Sequence, residues 1–90
     1  MSVLRFEVRP GAYFDSIVLL QLQRALAELP GVIDSGAVMA TEVNRSLLAS
    51  QGLLGDEAPE AGAEDLLVAI RADSAEEAEA AIARVDELLA

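Results

Sequence analysis

The 90 residues include no cysteine, histidine, lysine or tryptophan, and each gap closes off a chemistry. Without thiols there is no disulfide, and without thiols and imidazoles the donors that hold zinc, copper or iron–sulfur centres are missing. No metal site and no cofactor are therefore expected. The lack of His and Lys also removes the usual general bases and the partners that activate a serine nucleophile. Six basic residues, all Arg, stand against sixteen acids, for a net charge of −10. Such a field repels nucleic acid and anionic lipid and offers no phosphate-neutralising patch. Aromatic residues make up 3% of the chain. They are Phe6, Tyr13 and Phe14, and none lies in a basic setting that would stack and hold a base. No charged-then-apolar leader and no apolar run of about 18 residues is present, which reads as a cytoplasmic protein without a signal peptide or membrane span.

What remains is rich in Ala, Val, Leu and Ile, with a hydrophobic fraction of 53%. A chain of this length buries only roughly 60–65% of its unfolded surface, which supports one core, so residues 1–90 are expected to form one domain. The charge is uneven. Residues 1–55 carry four Arg against five acids, whereas residues 56–90 carry two Arg against eleven acids.

Residues 3–9 alternate, with Leu4, Phe6 and Val8 on one side and Arg5, Glu7 and Arg9 on the other, the pattern of a half-buried strand. Pro10-Gly11 ends it. Asp15 or Ser16 then caps a helix that runs to about Leu29, before Pro30-Gly31. Val32 to Ala40 reads as a second strand in which Gly36 marks a bulge. Thr41 precedes a short helix with Leu47 and Leu48 turned inward and Gly52 as its stop. Gly55 to Ala63 has the composition of a loop. Leu66 to Ile70 is apolar on both faces, as a central strand is, and Ser74-Ala75-Glu76-Glu77 is a capping box opening a last helix with a stripe at Ala78, Ala81, Ile82, Val85 and Leu88 or Leu89.

The order β-α-β-α-β-α predicts an α+β, ferredoxin-like variant that lacks the fourth strand of the full βαββαβ pattern, leaving the first strand as a sheet edge. The alternative is a three-layer α/β unit with a parallel sheet, which the helix between strands two and three favours. The first helix carries more apolar residues than one core needs. Phe14, Val18, Leu22, Ala25, Leu26 and Leu29 supply a core stripe, and Ile17, Leu19 and Leu20, together with Tyr13, are left over as an expected interface.

Four segments resemble the N-terminal region of the FdrA family: Arg9-Pro10-Gly11-Ala12-Tyr13-Phe14-Asp15-Ser16, Arg24-Ala25-Leu26, Val38 through Leu48 (VMATEVNRSLL), and Asp65 through Ala72 (DLLVAIRA). Their order and spacing fit, and the similarity spans the chain. FdrA proteins are related to acyl-CoA synthetases and to the CoA-binding subunit of succinyl-CoA synthetase, and some are associated with carbamoyl transfer from oxamate in purine (allantoin) breakdown. The regions that carry ligase chemistry are absent from these residues. The resemblance therefore implies a non-catalytic accessory domain that assembles with itself, as a homo-oligomer, or with a larger FdrA-like or carbamoyltransferase subunit. The rival expectation is a small-molecule sensor binding a metabolite at a dimer interface, with Pro10 to Ser16 as the ligand loop.

The candidate ligand residues are Arg9, Asp15, Ser16, Thr41 and Asn44. Asp15 and Ser16 are an acid beside a hydroxyl, yet without a base their plainer role is helix capping. Thr41 and Asn44 stand where an anion would meet a helix N-terminus, but a phosphate cradle usually adds glycines or a Lys. Arg9, Arg24 and Arg71 could clamp a carboxylate or phosphate, and with sixteen acids available surface pairing is the simpler reading. The acidic stretch 56–65 lacks the alternating Asp/Asn ligands with a central Gly that a calcium loop requires.

Overall fold

The computed structural model describes residues 2–55 and 59–89. Strand β1 (Val3–Arg9) leads to helix α1 (Ser16–Ala27), strand β2 (Val32–Met39), helix α2 (Glu42–Ser50), strand β3 (Leu66–Ala72) and two closing helices, α3 (Ala75–Ala83) and α4 (Val85–Leu89). The sheet order is β1-β3-β2, and both pairings are antiparallel. This is the α+β, ferredoxin-like arrangement. The parallel sheet of the alternative does not form, because residues 40–65 bring the chain back to the end of the sheet it left. Met39 pairs with Leu66, and the Ala40 N–H donates to the Asp65 carbonyl at 2.9 Å. Segment 40–65 is thus an elaborated hairpin connection rather than a crossover.

β3 lies between the other strands, and its side chains divide the core. Leu66, Val68, Ile70 and Ala72 meet Leu19, Leu22 and Leu26 of α1 with Ala78, Ala81 and Val85 of the closing helices. Leu67 and Ala69 face the other way, toward Ala40, Leu48 and Leu53, with Leu4, Phe6, Val8 and Val38 packed at the margin. Helices therefore cover both faces of the sheet: α1, α3 and α4 on one, α2 and its following loop on the other.

On each of two helices, one apolar residue expected in the core is exposed. The buried stripe of α1 is Leu19, Leu22 and Leu26, while Val18 is exposed. Spacing of three and four residues allows this stripe as readily as the one built on Phe14 and Val18, and the edge of β2 selects it. On α2, Leu48 is buried and Leu47 is exposed. Neighbouring residues differ by about 100° around a helix, so only one can meet the sheet.

Gly36 makes that meeting possible. A Cβ there would come within 2.6 Å of Leu48 Cδ2 and 3.2 Å of Leu53 Cδ1. The irregularity in β2 lies instead at Val32/Asp34, where Ile33 is pushed outward. Gly36 is thus a close-approach position and not a bulge. The three helix starts are capped as read from the sequence: Asp15 Oδ1 accepts from the Ile17 N–H, Thr41 Oγ1 from the Asn44 N–H and Ser74 Oγ from the Glu77 N–H. The last helical stretch breaks at Arg84, whose N–H closes back on the Ala81 carbonyl.

Asp65 ties two loops to the start of β3. One carboxylate oxygen accepts the Gly62 N–H and the other the Gly11 N–H, each at 2.9 Å. Gly11 adopts φ 69°, a left-handed turn in which any side chain would be strained. The Gly62 bond, and then the Gly11 bond, hold the Asp65 carboxyl below the ordinary aspartate range.

Two outcomes follow from this packing. Gly36→Ala should destabilise the protein by about 1–3 kcal/mol through overpacking, and Leu48→Val should relieve part of that loss, so that in chemical denaturation the double variant falls short of the sum. Because the folded-state pKa of Asp65 is depressed, its contribution is complete above the unfolded value of about 4 and is lost as pH falls through the lower folded value. The stability advantage of the wild type over Asp65→Ala should therefore fade in acid melts, and carbon NMR should show the Asp65 carboxyl titrating below the ordinary aspartate range.

Candidate functional site

β2 is one margin of the sheet, and three of its outward backbone groups are met by side chains of the same chain. The Ala37 N–H donates to Gln23 Oε1 at 3.1 Å, the Ser35 N–H to Asp34 Oδ1 at 2.9 Å, and Asn44 Nδ2 donates to the Met39 carbonyl at 2.9 Å. Ser35, buried although polar, donates its hydroxyl to the Gln23 carbonyl at 2.7 Å. These bonds set the first two turns of α1 and the start of α2 on either side of the strand. Between them runs a groove of about 540 Å³, lined by Tyr13, Phe14, Asp15, Ser16, Leu19, Leu20 and Gln23, by Ala37, Val38 and Met39, and by Asn44.

Six of the nine residues singled out in the sequence meet along this groove: Asp15, Ser16, Asn44, Tyr13, Leu19 and Leu20. Their roles differ. Tyr13 is 78% exposed and Leu20 49%, whereas Leu19 is 5% exposed. Leu19 forms the groove floor as part of the core, which removes it from the expected protruding interface. Val18 joins the exposed set in its place, beside Ile17, which is 65% exposed and lies outside the groove lining.

Thr41 caps α2 without lining the groove. Arg9 stands elsewhere, bonded to Glu7 at 3.2 Å and to Asp86 of α4. The Asp86 carboxylate first, and Glu7 after it, raise the Arg9 pKa against a partial cost of burial. Arg9 is therefore a clasp between β1 and α4. Arg71 is similarly occupied, donating to the Gly52 carbonyl and to Ser2 Oγ, which ties β3 to the end of α2.

The groove's polar side chains are largely committed to the fold. Asp15 is the α1 cap, Asn44 and Gln23 hold β2, and no imidazole or ammonium group exists in the chain to activate Ser16. The rim of the groove is apolar and exposed at Tyr13 and Leu20. Sequence reasoning missed Gln23 and Asp65. Gln23 is a polar residue within the apolar run of α1, and Asp65 follows Gly62 by three positions, yet neither spacing identifies a partner that lies far away in sequence.

The profile of the family described as "AllF, heavy metal-associated domain" matches residues 1–90. The uncharacterized protein YahF of Escherichia coli (strain K12) is 34% identical over 88 residues, covering 98% of this chain and 17% of that protein. The chain thus spans about a sixth of the length of this curated relative. No solved structure matches it. Among the described residues no helix is long and apolar enough to cross a membrane.

The donor set does not fit the heavy metal of the family description. Soft and borderline metals are held by thiolates and imidazoles, the sequence has neither, and no cluster of three or more potential ligands occurs among the described residues. With a match from the first residue to the last and a relative aligned over nearly the same span, the chain belongs to the AllF heavy metal-associated domain family.

Proposed function

We propose that the chain is a non-catalytic assembly domain of an FdrA-type complex, acyl-CoA-synthetase-like or carbamoyltransferase in activity, acting in the cytoplasm. The observation that carries this reading is the set of exposed apolar side chains at the start of α1, Ile17, Val18 and Leu20, with Tyr13 just ahead of the helix, beside the 540 Å³ groove. Exposed large apolar side chains close together mark a contact surface more often than isolated ones do. The occupant we assign is the larger FdrA-like subunit. In support, YahF carries most of its length outside the region matched here, so the domain in that relative has further polypeptide to contact. The lack of His, Cys and Lys supports the non-catalytic part of the reading.

A second reading, a metabolite sensor, is supported by the groove volume, which falls within the range of small-molecule pockets, about 300–1,000 Å³. The loop Pro10 to Ser16, which lines the groove at Tyr13, Phe14, Asp15 and Ser16, would be its ligand loop. A thermal-shift screen with acyl-CoAs, carbamoyl compounds and amino acids separates the two. Stabilisation by a metabolite without a protein partner supports the sensor, and stabilisation by the partner alone supports assembly.

Co-expressed with an FdrA-like subunit, the wild-type chain should co-elute with it, and Ile17→Glu/Leu20→Glu should abolish co-elution. The double variant should keep its fold, since substitutions at exposed positions usually change stability by about 0.5 kcal/mol or less. Unchanged co-elution of the folded double variant counts against this surface. The chain alone should show no CoA-ligase, ATPase or carbamoyltransferase turnover. Turnover lost on Ser16→Ala in a folded protein overturns the non-catalytic assignment.

A further inference from the structure

The two margins of the sheet differ. Backbone groups of an antiparallel strand point alternately to its two neighbours, and the bond from Ala40 to Asp65, with that from the Asp73 N–H to the Gly31 carbonyl, shows that odd-numbered residues of β3 address β2. Even-numbered residues of β3 therefore address β1. Through the register Val3↔Ala72, Arg5↔Ile70, Glu7↔Val68 and Arg9↔Leu66, the odd residues of β1 bond inward. Leu4, Phe6 and Val8 direct their N–H and C=O groups outward. Among the described residues no strand lies along that side, and Arg5 covers Leu4 alone, donating to its carbonyl at 3.1 Å. A groove of about 500 Å³ follows this margin, lined by Leu4, Arg5, Phe6, Val8 and Pro59.

We propose that the margin of β1 pairs with β1 of a second copy of this chain, antiparallel and centred on Phe6, to give one continuous six-stranded sheet. The sequence of the strand is complementary to itself in that register. Phe6 lies opposite the partner's Phe6, Leu4 opposite the partner's Val8, and Arg5 opposite the partner's Glu7, so that the two-fold axis generates two opposite-charge pairs. The residues with outward backbone groups, Leu4, Phe6 and Val8, face one another as the hydrogen-bonded pairs, and side chains of like parity fall on the same face. Leu4, Phe6 and Val8, half-buried at the margin of the α2-side cluster, thereby gain apolar neighbours across the seam. Arg5, exposed in the single chain, meets a carboxylate. Shifting the register by two residues opposes Arg5 to the partner's Arg5, or Glu7 to the partner's Glu7, and like charges directly opposite are unfavourable. A two-fold contact of this kind uses the same patch on both subunits. It is independent of the α1 surface.

Sedimentation of the full chain and its charge variants tests the register. The wild type should be dimeric at tens of micromolar. Arg5→Glu and Glu7→Arg, each alone, place like charges opposite one another twice and should weaken association about ten-fold or more. An equimolar mixture of these two variants restores opposite charges at every facing position and should dimerise as well as the wild type, as should the double variant Arg5→Glu/Glu7→Arg. Ile17→Glu/Leu20→Glu should leave the dimer intact, which separates this proposal from the α1 contact.

Because the chain has no cysteine, a mixture of Arg5→Cys and Glu7→Cys provides a second readout. Oxidation should link the two variants to each other faster than either to itself, because directly opposed residues in a non-hydrogen-bonded antiparallel pair sit at about the Cα separation a disulfide accepts. A wild type that remains a 9.5 kDa monomer at about 100 µM overturns the proposal. So does association that is indifferent to both charge variants, or preferential self-linking of Arg5→Cys.

Discussion

Everything in this small protein hangs on β3. Its residues Leu66, Leu67, Val68, Ala69 and Ile70 are fully buried, it hydrogen-bonds to strands on both sides, and its alternating side chains belong to two separate apolar clusters. A strand buried on both faces forces helices onto both faces. Segment 40–65 exists in the fold to supply the second cover, and Gly36 exists in β2 so that Leu48 and Leu53 can approach closely enough to seal it. The Asp65 carboxylate, at the entry to β3, carries the same constraint outward by fixing the β1–α1 turn through Gly11.

The parts of this architecture that depend on neighbours in sequence were legible in it. The alternation of residues 3–9, the double-sided apolar run at Leu66–Ile70, the caps at Asp15, Thr41 and Ser74 and the stops at Gly31 and Gly52 are local signals with local causes. The element order followed from them, and the ferredoxin-like reading with it. What was not legible required a partner from far along the chain. Whether Val18 or Leu19 enters the core, and whether Leu47 does so beside Leu48, depends on the rotation of a helix about its axis, which the sheet edge decides. Gly36 carries the same lesson. A glycine within a strand pattern marks either a bulge or a close approach, and only the position of α2 distinguishes them.

Six of the nine residues singled out in the sequence line the groove, and their division of labour was not legible. Tyr13, Ile17 and Leu20 emerged from a simple surplus of apolar residues on α1, and they are exposed. Asp15, Ser16 and Asn44 line the same groove, yet Asp15 and Asn44 serve the backbone. Arg9 emerged as a possible anion clamp and is instead held between two carboxylates of its own chain. In a protein with sixteen acids and six arginines, a guanidinium near the fold's surface has abundant internal partners, so basic residues are weak guides to ligands here. Gln23 was invisible because its task, meeting the Ala37 N–H, arises only once α1 lies along β2.

The bonds that Gln23, Asp34 and Asn44 make along β2 have a consequence for how the sheet can grow. A three-stranded sheet with two bare margins is a monomer unit for a fibril, since every addition exposes a fresh margin like the first. Here the chain's own side chains take three of the outward groups of β2, so a joining strand finds fewer free partners there than along β1. In a protein rich in Ala, Val and Leu, three polar side chains thus bias edge association toward one margin and against open-ended growth.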